Sequence, residues 1–461
     1  MPIRQFSVDL LKSDYRRTFP RSAETFESGR RYFPNGVSQV GRYYSPFPVF
    51  IDSAKGPNLE TVDGRSLIDF WQGHFANILG NNPPALLEIL ADSDSSQLLH
   101  IGCNTRYEQE VASELCRLTS SDQAIFCTTG AQATMLAIII GLAHSKRKLV
   151  LKIQGGWHGV QPWSLVAVKS EAVSPREAIE SAGLPIEIAE SIITVPFNDT
   201  QRLNDIFRSL GTQIGVVIAE LVIGNSGMEM ACPEFVSSLR TNCDEFGSVL
   251  ILDEIVTGFR CGLGPLASQY GIEADIATFG KTISGGMPFA AIVGRKDILS
   301  CVNTRNLPRA IADVGTFTSH PATLKLVLRT LQELEINHDT LYPTILRNAC
   351  SMRTSLQSLF DKCRVPAHVT GGSPSPEISG FPIMTVRFLV DEQRYDRNRA
   401  LSHWDDTVVD TELRDVLSRL ALCVRGYFPW QGAGVITAAH TDEHITGFLS
   451  AYEDWLATWT F

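Results

Sequence analysis

The chain has 461 residues, and 40 lysines and arginines against 50 acidic residues give it a formal net charge of −10. This length predicts two or three domains, or one large body with a smaller companion. Hydrophobic residues make up 44% and charged residues 20%, which excludes wholesale disorder and fibrous structure. No nucleic-acid partner is expected, because neutralising phosphates needs clustered basic residues.

No membrane partner is expected either, since the longest apolar run, Met135–Ala143, is about half of what a membrane-spanning helix needs. The first residues show no basic-then-apolar leader, so we expect a cytoplasmic protein. The ten cysteines lie scattered, without a Cys-x-x-Cys pair or the spacing of metal ligands. We therefore expect mostly buried, reduced thiols and no metal site.

The amino-terminal residues 1–48 are polar and aromatic, and they lack sustained periodicity outside Ser22–Tyr32. We interpret them as an arm that wraps another part of the molecule. From Val49 onward, short apolar runs joined by an Asp63-Gly64 turn predict a small β-meander. Helical spacing then predicts helices over Pro84–Asp92 and Glu108–Thr119.

The middle of the chain alternates strand-like apolar runs with helical stretches. Continuous apolar runs indicate strands that are buried on both faces, which is typical of a mostly parallel sheet flanked by helices. The seven predicted strands are Ala124–Phe126, Leu149–Ile153, Ile192–Val195, Gly215–Ala219, Val249–Leu252, Ile276–Phe279 and Ala290–Val293.

The rest of the chain is expected to form a smaller unit. A long helix over Ala322–Leu334 leaves the large domain, and short strands are predicted at Met384–Phe388 and Leu422–Val424. We divide the chain into an arm and first part of a small domain (1–72), a large domain (73–330) and a carboxy-terminal small domain (331–461).

An acid and a lysine follow two of the predicted strands. Asp253 comes directly after Val249–Leu252, and Lys281 follows Ile276–Phe279 through one glycine. In open α/β sheets, ligands bind at the carboxyl ends of the strands, so both side chains can face one bound molecule. The pair alone is a weak signal, because most single lysines are solvated surface residues.

Two further strand ends strengthen the prediction. After Ala124–Phe126, the small residues Thr128–Thr134 open a long helix, whose free backbone N–H groups and positive dipole end suit a phosphate. After Leu149–Ile153, glycines surround Trp157, which can lie flat against a planar ring.

These motifs together resemble the class III, fold type I family of pyridoxal-phosphate enzymes. The matching segments are Leu252–Arg260, Phe279–Pro288, Thr129–Thr134, Trp157–Gly159, Glu220–Asn225 and Gly315–Phe317, in the order of the family. Pro34–Arg42, Thr257–Arg260 and Ala438–Thr441 are most similar to the branch of glutamate-semialdehyde aminomutases and β-amino-acid aminotransferases. The resemblance implies a large domain with a mostly parallel seven-stranded sheet and a small α+β domain built from both termini.

The resemblance also implies roles for individual residues. Lys281 would form an aldimine with pyridoxal 5′-phosphate and then carry a proton, while Asp253 would pair with the pyridine nitrogen. The remaining expected cofactor contacts are Thr129, Gly130, Ala131, Trp157, His158, Glu220, Asn225, Ile255 and Thr316. Thr316 would come from the neighbouring subunit of a homodimer with a shared active site.

Arg42 falls where aminomutase relatives keep an arginine for the substrate carboxylate, and a guanidinium suits that task. Other positions depart from the family. Ala131 and Gln132 replace a common Thr-Glu pair, and Gly432 replaces a glutamate of the aminomutases. The replacement at Gly432 disfavours the mutase activity, and the three departures together suggest specialised metabolism.

The leading hypothesis is an aminotransferase that moves an amino group between a carboxylate-bearing amino donor and a keto-acid acceptor. The main alternative is an intramolecular aminomutase, of the glutamate-1-semialdehyde 2,1-aminomutase type, or an amino-acid racemase. A decarboxylase on the same scaffold and a non-catalytic relative are further alternatives, although the latter would be expected to have lost Lys281 or Asp253.

Overall fold

A computed structural model describes residues 2–91, 98–169, 178–302, 311–313, 315–396 and 399–459. The helices are α1 (Pro2–Thr18), α2 (Pro20–Gly29), α3 (Gln72–Phe75), α4 (Pro84–Ala91), α5 (Arg106–Thr119), α6 (Gly130–Ser145), α7 (Ile186–Glu190), α8 (Thr200–Leu210), α9 (Pro233–Phe246), α10 (Lys296–Leu299), α11 (Pro321–Ile336), α12 (His338–Cys363), α13 (Ser418–Val424) and α14 (Asp442–Thr458).

The strands are β1 (Ile51–Lys55), β2 (Asn58–Thr61), β3 (Ser66–Asp69), β4 (Gln123–Cys127), β5 (Leu149–Ile153), β6 (Ile192–Val195), β7 (Ile214–Ala219), β8 (Val222–Ile223), β9 (Glu229–Met230), β10 (Val249–Asp253), β11 (Ile276–Gly280), β12 (Ala290–Gly294), β13 (Ala367–Val369), β14 (Ile383–Met384), β15 (Val386–Phe388), β16 (Tyr427–Phe428) and β17 (Gly434–Val435).

The central sheet has seven strands in the order β4-β12-β11-β10-β7-β5-β6. Neighbouring strands run parallel from β11 to β6, and β12 is antiparallel to both of its neighbours. All seven predicted strands are present within a residue or two of their expected bounds. The prediction of a mostly parallel α/β sheet is confirmed.

Successive residues of β7 show why these strands are apolar throughout. Val216 and Ile218 belong to the core beneath α6, whereas Val217 and Ala219 pack on the opposite face with α8 and α9. Helix α6 lies very close to the sheet, since a Cβ on Gly141 would stand 2.6 Å from a methyl group of Val216. Burial on both faces leaves no position for an alternating polar pattern.

A second sheet joins the two ends of the chain. Strands β1, β2 and β3 form the predicted meander, and β16 from the carboxy-terminal part adds to β3 in parallel. Helix α1 packs against α13. These contacts support a small domain built from both termini, although the division at residues 72 and 330 stays a prediction.

Two local predictions are wrong. The amino-terminal segment is helical from Pro2, because Val8, Leu11 and Tyr15 are spaced to face the core and are buried. Leu422–Val424 is the end of helix α13 rather than a strand. A short apolar run buried on all sides does not reveal its own period, so sequence reasoning has no way to tell helix from strand there.

Among the described residues, no helix is both long and apolar enough to cross a lipid bilayer. The ten cysteines form no disulfide. The prediction of mostly buried thiols is wrong, because four of the ten cysteines are buried: Cys127, Cys243, Cys261 and Cys423.

Candidate active site

A cavity of about 600 Å³ opens at the carboxyl ends of β4, β5, β10 and β11. Ten of the twelve predicted site residues line it: Thr129, Gly130, Ala131, Trp157, His158, Glu220, Asn225, Asp253, Ile255 and Lys281. The topology explains this convergence, because parallel strands present their carboxyl ends to one edge of the sheet.

Lys281 stands at the first position after β11, with a backbone φ of +40°. A non-glycine residue in this left-handed region is strained, and such strain is concentrated at functional sites. Burial lowers the pKa of its amine to about 8, although the carboxylates of Asp253 and Glu220 act in the opposite direction. A larger fraction of this lysine is therefore neutral and nucleophilic near neutral pH than of an exposed lysine.

Asp253, the last residue of β10, presents a buried carboxylate to the same cavity. One oxygen lies 2.7 Å from Nδ1 of His158, and the other accepts hydrogen bonds from the backbone N–H of Ile255 and from Oγ1 of Thr278. His158 is itself held by its backbone, whose N–H donates to Oγ of Ser164. These contacts fix the carboxylate in one orientation.

The first turn of α6 forms another wall of the cavity. Thr129 caps this helix, accepting a hydrogen bond from the backbone N–H of Gln132, while the N–H groups of Gly130 and Ala131 precede the first helical hydrogen bonds. The loop after β5 approaches closely, since a Cβ on Gly159 would stand 2.5 Å from the Cβ of Ala131. An anion at this point would meet free backbone donors at the positive end of a helix.

Glu220 connects the two loops that border the ring end of the cavity. Its carboxylate accepts from the backbone N–H of Trp157 and from that of Gly224, next to Asn225. Burial raises the pKa of this carboxyl group. Trp157 keeps 37% of its surface exposed towards the opening, as expected for a ring that another planar ring can cover.

The structure does not bring the other two predicted residues into this cavity. Thr316 lines a separate cavity with His100, Cys103 and Asp313. Arg42 lines a third one between α2 and β1, where it donates a hydrogen bond to Oγ of Ser38.

Sequence reasoning missed a left-handed turn that forms part of the cavity wall. All four residues of α3, Gln72–Phe75, have positive φ angles, and the carboxylate of Asp69 accepts from the backbone N–H groups of Trp71 and Gln72. Gly73, Phe75 and Trp430 line the cavity, with the rings of the last two in edge-to-face contact. The sequence contains one signal for this turn, which is the acidic residue Asp69 near the end of the predicted β-meander.

Comparison with known proteins agrees with this geometry. The sequence profile described as "Aminotransferase class-III" matches residues 39–372. A glutamate-1-semialdehyde 2,1-aminomutase from Methanopyrus kandleri is 34% identical over 322 residues, which make up 70% of this chain and 74% of the relative.

Solved structures share the fold over nearly the whole chain. A β-phenylalanine aminotransferase from Variovorax paradoxus has a TM-score of 0.81 at 24% identity, covering 98% of each chain. A glutamate-1-semialdehyde aminomutase from Pseudomonas aeruginosa PAO1 has a TM-score of 0.83 at 19% identity, covering 100% of this chain and 99% of that one.

The chain belongs to the class-III aminotransferase family and has the fold of type I pyridoxal-phosphate enzymes. It is a pyridoxal-phosphate-dependent enzyme of amino-group transfer. The cavity fits this cofactor, because it holds an amine for the aldehyde, a carboxylate for the ring nitrogen and backbone donors for the phosphate. Among the described residues, no group of three or more metal-binding side chains was found.

Proposed function

We propose that this enzyme transfers an amino group between a carboxylate-bearing amino compound and a keto acid, with Lys281 as the reacting residue. The observation that carries the proposal is the position of Lys281. Its buried amine, with a pKa of about 8, shares one cavity with the Asp253 carboxylate and the amino-terminal end of α6.

Pyridoxal phosphate, when bound, supplies an electron sink that stabilises negative charge at the carbon from which a proton is removed. The residues of the chain then divide the remaining tasks. Lys281 Nζ first acts as a nucleophile and, once displaced by the substrate amine, accepts and returns the proton. Asp253 favours a protonated ring nitrogen, since an adjacent carboxylate stabilises a cation.

The other cavity residues are proposed to hold the cofactor in place. The N–H groups of Gly130 and Ala131 would bind the phosphate, Trp157 and Ile255 would cover the two faces of the ring, and Asn225 would contact the ring hydroxyl. His158 and Glu220 act indirectly. His158 orients the carboxylate of Asp253. Glu220 holds the loop of Trp157 and the loop of Asn225 at a fixed distance from each other, because its carboxylate binds the backbone of both.

Aminomutase activity is the second candidate, because relatives that are 34% and 33% identical to this chain bear that name. The structure around Gly432 disfavours it. A Cβ at this position would stand 2.9 Å from the Cβ of Val386, and φ is +79°, so the backbone there does not suit a larger residue such as glutamate. Racemase activity has no supporting observation of this kind.

The test is to titrate the purified enzyme, loaded with pyridoxal phosphate, with α-, β- and ω-amino donors in the absence of an acceptor. Conversion of the bound cofactor to its pyridoxamine form by a carboxylate-bearing donor, reversed by a keto acid, is the expected result. Isomerised donor without an acceptor would establish the mutase instead. Donors that never produce the pyridoxamine form would refute the transferase.

The assignment of Lys281 has its own experiment. Borohydride reduction of the loaded enzyme followed by peptide mapping should place the cofactor mass on the peptide of Lys281. Lys152 is an internal control, because burial lowers its pKa to about 8 as well, but its Nζ donates to the carbonyl of Val166 away from the cavity. Labelling of the Lys281→Ala protein at Lys152 or elsewhere would contradict the assignment.

A further inference from the structure

Arg260 is a buried cation to which the proposed function gives no task. The residue is 1% exposed, its Nη1 is enclosed without a hydrogen-bond partner, and no carboxylate of the described residues forms an ion pair with it. Arg387 and Arg414, which are equally buried, each lie within 3.2 Å of a carboxylate oxygen. Burial lowers the pKa of Arg260 to about 10, so its guanidinium stays charged near neutral pH. An unpaired buried charge is costly, and its hydrogen bonds show what this one holds together.

The guanidinium of Arg260 joins three segments that border the active-site cavity. Its Nη2 donates to the backbone carbonyl of Phe75, in the left-handed turn of α3, and to Oγ1 of Thr282 at 2.8 Å. Its Nε donates to the backbone carbonyl of Val256 at 2.7 Å. Phe75 and Val256 line the cavity, and Thr282 follows Lys281 directly. One side chain therefore fixes the spacing between the turn, the segment after β10 and the reactive lysine.

Two of these segments have strained backbone conformations. The φ angle is +40° at Lys281 and +71° at Phe75, and residues other than glycine adopt this left-handed region at a cost. Lys281 also begins the short helical turn Lys281–Ile283, so Arg260 holds the hydroxyl of the residue in the middle of that turn. Hydrogen bonds from a rigid, planar guanidinium oppose relaxation of both segments. The direction in which the side chain of Lys281 leaves the backbone thus depends on Arg260.

The charges near the amine of Lys281 give Arg260 a second effect. Burial lowers the pKa of this amine, the carboxylates of Asp253 and Glu220 raise it, and Arg260 lowers it further. His74, on the turn of α3, is also near Lys281, but its pKa is lowered to about 4, first by burial, and it is neutral near pH 7. Arg260 thus partly offsets the two acids and favours the neutral, nucleophilic form of the amine.

We propose that Arg260 is a positioning residue for Lys281, which ties the reactive turn to the α3 turn of the cavity wall and keeps a positive charge close to the amine. It touches neither cofactor nor substrate, because it lies outside the cavity lining. The amine of Lys281 is thereby oriented before the cofactor binds. This inference rests on the proposed function, in which Lys281 is the reacting residue.

The experiment follows attachment of pyridoxal phosphate to the apoenzyme by stopped-flow absorbance over a range of pH. Arg260→Met keeps the length of the side chain without its charge or donors. We expect the limiting rate of this variant to fall about tenfold, and the pH midpoint of attachment to rise by about one unit above that of wild type. Arg260→Lys keeps the charge but loses the planar fork, so the limiting rate alone should fall. The different midpoints of the two variants separate the effect of the charge from a general structural defect.

Arg414→Met is the matched control. Arg414 is equally buried, but its guanidinium binds Asp415 and the backbone carbonyl of His403, outside the cavity lining. Its substitution should lower the free energy of unfolding without changing the pH midpoint or the limiting rate of attachment. A folded Arg260→Met protein with the midpoint and rate of wild type overturns the proposal, and so does an equal change of both in Arg414→Met.

A second pair of variants decides the matter if circular dichroism shows that Arg260→Met does not fold. Thr282→Val removes the hydroxyl that accepts from Arg260 and keeps the shape of the side chain, whereas Thr282→Ser keeps the hydroxyl. The limiting rate should fall about fivefold in Thr282→Val and stay within about twofold of wild type in Thr282→Ser. Equal rates in Thr282→Val and wild type overturn the proposal.

Failure of this inference is distinguishable from failure of the proposed function. Attachment of the cofactor needs no amino donor, so an enzyme that never produces the pyridoxamine form refutes the transferase while these attachment rates stay measurable. Wild-type attachment in the Arg260 and Thr282 variants, together with donors that do convert the cofactor, overturns the role of Arg260 alone.

Discussion

At the scale of single residues, burial alone does not define the reactive lysine. Lys152 and Lys281 both have pKa values lowered to about 8 by desolvation. Lys152 satisfies its ammonium with a backbone carbonyl, whereas Lys281 faces a cavity that it shares with the carboxylate of Asp253. The environment of the amine, rather than its pKa, therefore separates a structural lysine from a chemical one.

The lowered pKa of Lys281 leads to a prediction about pH. The neutral amine is the nucleophile, so the rate at which the apoenzyme attaches pyridoxal phosphate should rise with pH and reach half its maximum near pH 8. Stopped-flow absorbance on the apoenzyme measures this rate. A midpoint near 10.5, the value of an unperturbed lysine, would contradict the role of burial.

The same shift affects stability. Between pH 8 and 10.5 the unfolded chain keeps a proton on Lys281 that the folded apoenzyme has released. The unfolded state binds more protons over this range, so the contribution of Lys281 to the free energy of unfolding increases with pH.

At the scale of elements, the sequence predicts what is local and periodic. The strands of the central sheet are continuous apolar runs, and Asp253, Lys281 and the start of α6 follow directly from where those runs end. The left-handed turn of α3 is different. Its conformation depends on the Asp69 carboxylate and on Asn81, twelve residues later, which also donates to that carboxylate. No periodicity encodes such a contact.

The phosphate end of the site gives a prediction at this scale. Gly159→Ala places a Cβ 2.5 Å from the Cβ of Ala131, which forces the first turn of α6 to move, so cofactor affinity should fall by about tenfold or more, ~1.4 kcal/mol. Titration of the apoenzyme with pyridoxal phosphate, followed by absorbance, measures the change.

Gly183→Ala is the matched control for this prediction. Gly183 has a φ of +87°, close to the +83° of Gly159, but apart from its two chain neighbours no atom of the described residues lies within 4 Å of its added Cβ. Both variants carry a similar backbone cost of about 1–2 kcal/mol, visible in urea unfolding. Equal cofactor affinity in the two variants would show that the contact with Ala131 is unimportant.

At the scale of the whole molecule, contacts distant in sequence explain what sequence reasoning did not find. Arg419 meets Tyr44 and Trp71 because α13, near the carboxy terminus, packs against the amino-terminal segment. Phe75 from the amino-terminal part and Trp430 from the carboxy-terminal part line a cavity whose reacting groups come from the middle of the chain. Only folding brings these distant residues together.

The separation of Thr316 from Lys281 gives the last prediction, since the two residues line different cavities of one chain. In the two-fold dimer that the family resemblance implies, Thr316 would complete the phosphate site of the partner. Lys281→Ala and Thr316→Asp homodimers should therefore both be inactive, whereas a doubly tagged hybrid of the two variants should recover about half of the wild-type rate.

The control hybrid combines a wild-type subunit with a subunit that carries both substitutions. It has no intact site if Thr316 acts on the partner, but keeps one if Thr316 acts within its own subunit, so activity in the control and none in the first hybrid would refute a shared site.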